Sequence, residues 1–479
     1  MRSLIRLDTA IRRSRFAFEF INGPIAALYH SLTLKKLYMP VETLSLYRHF
    51  ASPKTPAQVL ALYNESEQPE IQQAIDQLLR TGFLVPEDWD ETEAFDSVRG
   101  FLLPKPHIDC MYLIPTNDCN FDCRYCLVER NMPAQLRSAR MTEDTAKQAI
   151  DFFARCAAKD SFGKEIVFYG GEPLLNWEVV QFAISYAREV HQKGGFGDAP
   201  LRLALLTNGT LMTRDRAKFL ADNGVEIDVS IDGPSEIHDL MRFFRGSNQP
   251  TYNHTLRGYR IAQEFTSPGI SCTVASHNVE VLDEVTRFFA TELKPSGLGF
   301  NILVAVDESD PAYVPIERVT MKIIDAYKVA REYGLFEDRV MRRIRAFVEE
   351  SVRFYDCAGC GRQIVVTPDG RVGPCQAFLG SRDFFVGTVY DDLDIEGHPV
   401  FNEWSKRSPF NMPQCYDCPA IAICGGGCPA DAYLRTGSLW EVDRRMCIHC
   451  TMLLEWMIWD QWALLQSKSS LPGGISPEV

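Results

Sequence analysis

The sequence predicts an α/β fold class: a partial (β/α)6 barrel with a winged-helix-like α+β unit before it and a cysteine-rich unit after it. Two patterns carry this prediction. Between Cys110 and Val306, six short apolar stretches alternate with helical stretches, as in parallel sheets with crossover helices. From Cys357 onward, glycine, proline and cysteine become frequent and regular periodicity fades. A doubly wound sheet would give the same alternation, and periodicity alone does not separate the two folds.

Length, charge and cysteine content narrow the class of protein. The chain has 479 residues, which suggests about three domains, and its formal net charge is −13. This acidic balance disfavours phosphate-rich partners, so we expect no nucleic-acid partner. Because no apolar stretch reaches about 18 residues, we also expect no membrane partner. We expect a cytoplasmic location, where thiols stay reduced, and there fifteen cysteines indicate metal binding rather than disulfides.

Residues 1–95 are predicted to form the separate winged-helix-like unit. The stretch ALYHSLTLKKLYMP favours a strand, and Thr55 followed by Pro56 is a favoured helix start. A second helix ends at Gly82, and FLVP closes the unit as a strand. We interpret DWDETEAFDS as an acidic linker. A solvated arm is predicted for the basic residues near the start, namely Arg2, Arg6, Arg12, Arg13 and Arg15.

Residues 105–306 are predicted to form the barrel. Its candidate strands are MYLIP, EIVFYG, LRLALLT, VEIDVSID, GISCTVAS and GLGFNILV. Credible N-caps for the intervening helices are Thr142, Asn176, Thr213 and Asn278. In such folds the catalytic and ligand-binding residues lie beyond the carboxyl ends of the strands. We expect residues 307–356 to form a helical connector, residues 357–450 the cysteine-rich domain, and residues 451–479 a closing helix and tail.

Three cysteines follow the first predicted barrel strand at the spacing C-x3-C-x2-C, namely Cys119, Cys123 and Cys126. Thiolates are soft ligands that suit iron–sulfur clusters or zinc. Three of them leave one corner of a four-iron cluster without a protein ligand. The alternatives are a zinc site completed by a distant ligand, and three buried cysteines that bind no metal.

This motif, with Tyr125 directly before its last cysteine, resembles the signature of the radical S-adenosyl-L-methionine (AdoMet, or SAM) enzymes. The resemblance continues at the next three strand ends through GGEP, TNGT and SIDG. It implies that the three cysteines hold a four-iron cluster whose open iron binds AdoMet. One-electron reduction then yields a 5′-deoxyadenosyl radical, which abstracts a substrate hydrogen. The implied AdoMet-binding residues are Tyr125, Gly170, Gly171, Glu172, Pro173, Asn208, Ser230, Asp232 and Arg242.

The cysteines after residue 356 resemble the SPASM domain, which holds two auxiliary four-iron clusters in enzymes that modify peptides. The resemblance implies one ligand set of Cys357, Cys360, Cys375 and Cys428. It implies a second set of Cys415, Cys418, Cys424 and Cys447. We therefore expect three 4Fe-4S clusters per chain, with four-cysteine zinc sites as the alternative. Cys357 and Cys360 are unusually close in sequence, and Cys450 is an alternative to Cys447.

We expect a radical SAM peptide or protein maturase that forms an intrapeptide cross-link, preferably a thioether and otherwise a carbon–carbon bond. Residues 1–95 resemble the peptide-recognition element of such enzymes. The expected partners are a peptide or small-protein substrate with a leader segment and an electron donor such as flavodoxin or ferredoxin.

Two alternative functions stay open at this point. One is dehydrogenation of a Ser or Cys side chain, as in sulfatase maturation, and the other is a non-enzymatic iron–sulfur electron-transfer scaffold. Gln376 stands where sulfatase-maturing enzymes carry an aspartate base, which counts against the first alternative. The sequence assigns no catalytic base.

Overall fold

The computed structural model describes residues 8–160, 162–304 and 307–469. On the N-terminal side, β2, β3 and β4 form an antiparallel sheet in that order, and β1 pairs antiparallel with β5. The strands are β1 Ile11–Arg13, β2 Ala17–Asn22, β3 Ile25–His30, β4 Lys36–Pro40 and β5 Leu84–Pro86. The helices are α1 Leu44–Arg48, α2 Pro56–Leu60, α3 Gln68–Thr81 and α4 Glu91–Arg99.

The boundaries of the two predicted helices in this unit are confirmed. Thr55 caps α2, because its hydroxyl accepts a hydrogen bond from the Gln58 amide at 3.2 Å. Gly82 ends α3 in the left-handed region, with φ 84°. The stretch predicted as one strand is two, β3 and β4, because a turn interrupts it at Leu34, whose φ is 59°.

Two further predictions for this unit are wrong. The acidic linker is helix α4, because Asp90 caps it by accepting a hydrogen bond from the Thr92 amide at 2.8 Å, and Phe95 is buried. Arg12 and Arg13 belong to strand β1 rather than to a solvated arm. The other end of that predicted arm, at Arg2 and Arg6, lies outside the described residues.

Six parallel strands form the predicted partial (β/α)6 barrel. They are β6 Cys110–Thr116, β7 Lys164–Gly170, β8 Leu201–Thr207, β9 Val225–Ser230, β10 Gly269–Val274 and β11 Leu298–Ile302. Each strand pairs in parallel with the next one along the chain. This order excludes the doubly wound alternative, in which the strand order reverses at a switch point.

Helices connect the barrel strands and cover their outer side. They are α5 Leu127–Arg130, α6 Ala134–Arg137, α7 Glu143–Cys156, α8 Trp177–Gln192, α9 Arg214–Asp222, α10 Ser235–His238, α11 Tyr252–Gln263 and α12 Leu282–Phe288. Thr142 and Thr213 cap α7 and α9 as predicted. The predicted caps at Asn176 and Asn278 do not form, and the side-chain nitrogens of both residues donate to strand and loop carbonyls. The side-chain oxygen of Asn278 accepts from the Ala275 amide rather than from a helix amide.

The C-terminal part continues the barrel sheet. Its elements are α13 Ile316–Glu332, α14 Asp338–Val348, β12 Gln363–Val366, β13 Arg371–Gly373, β14 Gly387–Thr388, α15 Pro399–Ser405, α16 Ile421–Cys424, α17 Pro429–Thr436 and α18 Arg444–Ser469. Strand β12 pairs in parallel with β6, so one nine-stranded sheet joins the barrel to the cysteine-rich region. None of the helices in the described ranges has the length and apolar character needed to cross a membrane.

The N-terminal sheet packs against the C-terminal helices. Tyr29 of β3 stacks on Phe347 of α14, with ring centroids 6.1 Å apart. Lys36 of β4 donates a hydrogen bond to the Phe347 carbonyl at 2.7 Å. Tyr38 donates to the Ile458 carbonyl of α18 at 2.8 Å, and its ring lies 5.1 Å from that of Trp462. The N-terminal unit therefore shares a core with the part of the chain that carries the second cysteine array.

Candidate active site

The three cysteines of the first motif lie in the loop that follows β6. The Phe121 amide donates to the Cys119 sulfur at 3.4 Å, and the Glu129 amide donates to the Cys126 sulfur at the same distance. Cys126 is also the N-cap of α5. Burial raises the pKa of all three thiols, that of Cys123 to about 12. The thiols therefore hold protons in the metal-free protein, and binding a cluster must release those protons.

The end of β7 packs unusually closely against this loop. A Cβ atom on Gly171 would lie 2.1 Å from the Asp118 carbonyl oxygen, and one on Gly170, whose φ is 127°, would lie 2.6 Å from the Thr116 carbonyl oxygen. Any other residue at either position would displace the backbone. The two glycines are therefore required by the contact between β7 and the cysteine loop itself, a reason that the sequence does not reveal.

Glu172 links this contact to the end of β8. Its carboxylate is 1% exposed and accepts hydrogen bonds from the Thr207 hydroxyl at 2.7 Å, the Asn208 amide at 2.7 Å and the Leu174 amide at 3.0 Å. The Asn208 side chain then donates to Asn120 of the cysteine loop at 2.8 Å. Pro173 opens the short 3-10 turn Pro173–Asn176 that follows. Glu172 thus fixes the relative positions of two strand ends and the cysteine loop.

A second buried network surrounds Asp232, directly after β9. Arg242 donates to both carboxylate oxygens, at 2.9 and 3.0 Å, and the Thr273 amide donates at 3.0 Å. Tyr125 of the cysteine motif donates its hydroxyl to the same carboxylate, and His277 Nε2 lies 3.3 Å from it. Burial alone would raise the pKa of Asp232, but Arg242 and His277 outweigh that effect and hold the pKa well below its usual range.

The structure thus brings most of the predicted AdoMet-binding residues to one end of the barrel, at the carboxyl ends of β6 to β10. Ser230, the last residue of β9, lies opposite Ser271 of β10 and is half-buried. The sequence prediction did not place His277 at the site, and it assigned Asn278, the next residue, only as a helix N-cap. The signal for both was their polar character at a predicted strand end.

The cysteines of the C-terminal array fall into two groups. Cys428 interacts electrostatically with Cys357 and Cys375, and Cys360 donates a hydrogen bond to Cys357. Cys357 is exposed, whereas Cys360 and Cys375 are buried. This first group consists of the four cysteines that the resemblance to the SPASM domain implies as one ligand set.

The second group contains five thiols rather than four. Cys447 interacts with Cys415, Cys418 and Cys450, and Cys450 is hydrogen-bonded to Cys424. Both Cys447 and Cys450 come from α18. Arg343 also donates a hydrogen bond to the fully buried Cys450 sulfur at 3.2 Å. Cys447 and Cys450, three positions apart on α18, therefore both lie where the sequence leads us to expect one thiol.

Three successive glycines separate the two thiol groups. Gly425, Gly426 and Gly427 all have positive φ, between 70° and 89°. A Cβ atom on Gly425 would lie 2.5 Å from the Asp356 amide nitrogen. This left-handed turn directs Cys424 and Cys428 into different groups although they are only four residues apart.

Within the described ranges, no three His, Cys, Asp or Glu side chains converge tightly enough to hold a single metal ion. The residues do fit an iron–sulfur cluster in their chemistry, because thiols are the ligands that such clusters use. Three groups of thiols lie here at the ends of loops and helices.

Comparisons with known proteins agree with this geometry. A profile described as the radical SAM superfamily matches residues 113–288. The chain is 23% identical over 428 residues to radical SAM cyclopropyl synthase TigE of Paramaledivibacter caminithermalis, an alignment covering 83% of this chain and 85% of TigE. It is 31% identical over 355 residues to the AdoMet-dependent heme synthase of Nitratidesulfovibrio vulgaris, covering 67% of this chain and 87% of that protein.

Solved structures share the fold. Native anSMEcpe with bound AdoMet and Cp18Cys peptide is 20% identical, with a TM-score of 0.61, and the match covers 75% of this chain and 98% of that one. Streptococcus suis SuiB bound to its precursor peptide SuiA is 14% identical, with a TM-score of 0.53, and the match covers 91% of this chain and 99% of that one.

The chain belongs to the radical SAM superfamily. It is therefore an enzyme, and the relatives it matches include synthases and sulfatase-maturating enzymes. AdoMet and a radical SAM iron–sulfur cluster are the cofactors that this membership supports.

Proposed function

We propose that this enzyme is a peptide or protein maturase that forms an intrapeptide cross-link, preferably a thioether. The single observation that carries the proposal is that two convergent thiol groups lie in the C-terminal region, which a shared nine-stranded sheet joins to the radical SAM barrel. Such groups suit auxiliary clusters, which accept the electron that an oxidative cross-link releases.

In this proposal Cys119, Cys123 and Cys126 would hold the cluster that binds AdoMet. When bound and reduced, that cluster supplies the electron for cleavage of AdoMet. The chain's own contribution is positioning: Glu172 and Asn208 tie the loop to β8, and the remaining proposed AdoMet-binding residues surround the same strand ends, namely Tyr125, Gly170, Gly171, Pro173, Ser230, Asp232 and Arg242. The carboxylate of Asp232 already has five donors, so we propose that it acts by orienting Tyr125 and Arg242.

We further propose two auxiliary 4Fe-4S clusters, and therefore three clusters per chain. One would use Cys357, Cys360, Cys375 and Cys428. The other would use Cys415, Cys418 and Cys424, with the fourth ligand from Cys447 or its neighbour Cys450. Support for these clusters comes from the grouping of the thiols. We also propose a cytoplasmic location, a reducing compartment in which cysteines stay free, as all fifteen are here.

The proposed substrate is a peptide with a leader segment. The sheet formed by β2, β3 and β4 has two edge strands, to which an extended peptide would add by backbone hydrogen bonds. The structure of SuiB contains its precursor peptide SuiA, and that of anSMEcpe contains the Cp18Cys peptide, which supports a peptide substrate for this chain as well. Residues 1–95 would serve as the recognition domain, and flavodoxin or ferredoxin as the electron donor.

Thioether formation, the preferred product in this proposal, balances in atoms and electrons. Joining carbon to sulfur removes one hydrogen atom from carbon and one proton from the thiol, and it releases one electron. In the proposal the hydrogen atom goes to the 5′-deoxyadenosyl group of AdoMet, giving 5′-deoxyadenosine, and the electron goes to an auxiliary cluster. Cys357 is the exposed residue of its group, so it would be the cluster ligand that a substrate thiol could approach. The similarity to TigE, a cyclopropyl synthase, favours the carbon–carbon version of the cross-link.

Simple dehydrogenation of a Ser or Cys side chain is less well supported. Gln376 accepts a hydrogen bond from Gln363 at 3.0 Å, and an amide at that position takes no proton from substrate.

Product analysis separates these functions. Reduced holoenzyme would be incubated with AdoMet and a leader-bearing, cysteine-containing peptide encoded beside this gene. We expect 5′-deoxyadenosine and a peptide lighter by two hydrogens, with a cysteine that resists alkylation. The same mass loss with a cysteine that still alkylates would favour dehydrogenation or a carbon–carbon bond. Formation of no 5′-deoxyadenosine would contradict the radical mechanism.

A further inference from the structure

Arg407, which follows α15, is a buried cation whose partners in the protein are all neutral. Its side chain is only 1% exposed. The guanidinium donates hydrogen bonds to three backbone carbonyls and one thioether sulfur, namely those of Leu439, Gly426 at 2.8 Å, Glu441 at 2.9 Å and Met412 at 3.0 Å. Within the described ranges, no carboxylate forms an ion pair with Arg407.

A charge buried in this way needs a counter-charge. Moving a guanidinium out of water costs free energy unless an anion compensates its charge, so buried arginines are normally paired. The carbonyl and thioether acceptors satisfy the N–H groups of Arg407 and leave its positive charge uncompensated. This imbalance points to an anion that the protein binds close to Arg407.

The position of Arg407 indicates what that anion is. The carbonyl of Gly426 belongs to the left-handed glycine turn that separates the two C-terminal thiol groups. A Cβ atom on Gly426 would lie 3.0 Å from Arg407 Nη1, so a side chain in this turn would crowd the guanidinium. Arg407 also interacts electrostatically with one thiol of each group, Cys360 of the first and Cys415 of the second. The guanidinium therefore lies within electrostatic range of both thiol groups.

We propose that the Arg407 guanidinium is a counter-charge shared by the two auxiliary iron–sulfur clusters, and that it raises the reduction potential of both. This proposal rests on the proposed auxiliary clusters. Four thiolates give such a cluster a net negative charge, and reduction by one electron makes that charge more negative. A fixed positive charge nearby favours the reduced state, so each cluster becomes a better acceptor for the electron that cross-linking releases. Arg407 acts through the clusters rather than on the substrate.

The test is the reduction potential of the auxiliary clusters in the full chain, measured by an EPR-monitored potentiometric titration. A parent protein with Cys119→Ala, Cys123→Ala and Cys126→Ala lacks the first cluster, so only auxiliary signals remain. In this parent, Arg407→Gln removes the charge and keeps a hydrogen-bond donor, whereas Arg407→Lys keeps the charge. At a fixed ambient potential we expect Arg407→Gln to lower the ratio of reduced to oxidised auxiliary cluster about tenfold, which is about 59 mV for a one-electron couple. Arg407→Lys should stay close to the parent.

Arg188→Gln in the same parent is the matched control. The Arg188 guanidinium also donates to backbone carbonyls, those of Leu201, Asn223 and Gly224, but it belongs to α8 of the barrel. Loss of these hydrogen bonds should lower the free energy of unfolding and leave both auxiliary potentials unchanged. The two Gln variants together separate the loss of a charge beside the clusters from a general loss of stability.

The outcomes for protein with unchanged iron content are clear. A lower potential of both auxiliary clusters in Arg407→Gln, with a potential near that of the parent in Arg407→Lys, would support the inference. Unchanged potentials in Arg407→Gln, a shift of one cluster only, or an equal shift in Arg407→Lys would overturn it.

Iron analysis covers the case in which Arg407→Gln loses auxiliary iron. Retention of that iron by Arg407→Lys would support a counter-charge, and equal loss of iron from both variants would overturn it, because the role would then lie in the hydrogen bonds. A parent protein that holds no auxiliary iron–sulfur clusters would instead overturn the proposed clusters themselves.

Discussion

At the scale of single residues, the site depends on buried polar groups whose partners are supplied by distant parts of the chain. Asp232 receives donors from the cysteine loop, from the segment after α10 and from the end of β10. Removing one donor leaves a buried charge less compensated, which costs more than an exposed pair would. The role of Asp232 is therefore to hold other groups in place, and the SIDG motif alone did not indicate this role.

A titratable residue at the opposite end of the barrel gives a pH prediction. Burial, together with Glu226, Asp338 and Glu165, raises the pKa of Asp228 to about 6. The folded state therefore binds the proton more tightly than the unfolded chain. This contribution to stability is complete below the usual pKa of Asp and is lost as the pH rises through about 6.

Asp228→Asn should remove that pH dependence. At pH 8 we expect the free energy of unfolding of the variant to exceed that of the wild type by about 1–3 kcal/mol. The upper end of this range is a limit, because solvent screens the charge of a partly exposed carboxylate. The difference should shrink toward zero near pH 4, as followed by denaturant unfolding across the pH range. Asp222→Asn, on the exposed side of α9, serves as the control and should show no such trend. A constant difference at all pH values would contradict the assignment.

At the scale of elements, the sequence predicted what local patterns determine. The six barrel strands, the caps at Thr142 and Thr213 and the stop at Gly82 all depend on residues within a few positions of one another. The linker prediction failed at Asp90, because this one acidic residue is the N-cap of a helix rather than part of an extended charged segment. The parallel pairing of β12 with β6 was missed because those strands are about 250 residues apart in the chain.

For the candidate site as well, the sequence predicted the local motifs but not the long-range contacts between them. The cysteine spacings and the GGEP, TNGT and SIDG turns are local patterns, so the sequence locates them. The hydrogen bond of His277 to Asp232 spans 45 positions, and that of Tyr125 to Asp232 spans 107. Only the fold brings such pairs together, because the carboxyl ends of the parallel strands lie at the same end of the partial barrel.

The glycine turn between the two thiol groups gives a second prediction. Gly425→Ala introduces both left-handed strain and a clash with the backbone of Asp356, whereas Gly437→Ala introduces only the strain. We expect Gly437→Ala to cost about 1–2 kcal/mol with unchanged iron content. Gly425→Ala should lose iron from the C-terminal region and retain the cluster of the first motif, as measured by iron analysis and Mössbauer spectroscopy. Full iron loading of Gly425→Ala would show that the turn does not position the thiols.

At the scale of the whole molecule, the N-terminal unit and the cysteine-rich region form one packed body. The contacts of Tyr29 and Lys36 with Phe347, and of Tyr38 with α18, mean that deleting residues 1–95 would expose part of a core. Peptide recognition by this unit is therefore better tested in the intact chain.

Hydrogen exchange provides that test. If a leader peptide adds to the edge of the N-terminal sheet, new backbone hydrogen bonds should slow amide exchange in β2 or β4. Exchange in β8, which lies inside the barrel sheet, serves as the internal control and should not change. Protection confined to the barrel end, with none in β2 or β4, would contradict edge-strand recognition.

The central claim is that three thiols hold an iron–sulfur cluster with one iron open to AdoMet. The most direct measurement is the EPR spectrum of the reduced, anaerobically reconstituted protein before and after AdoMet is added, with 5′-deoxyadenosine quantified in the same sample. A Cys357→Ala and Cys415→Ala double variant, which removes one proposed ligand from each auxiliary group, would simplify the auxiliary signals. We predict a changed cluster signal and formation of 5′-deoxyadenosine. An unchanged spectrum with no 5′-deoxyadenosine, in wild-type protein that carries its full iron content, would contradict the claim.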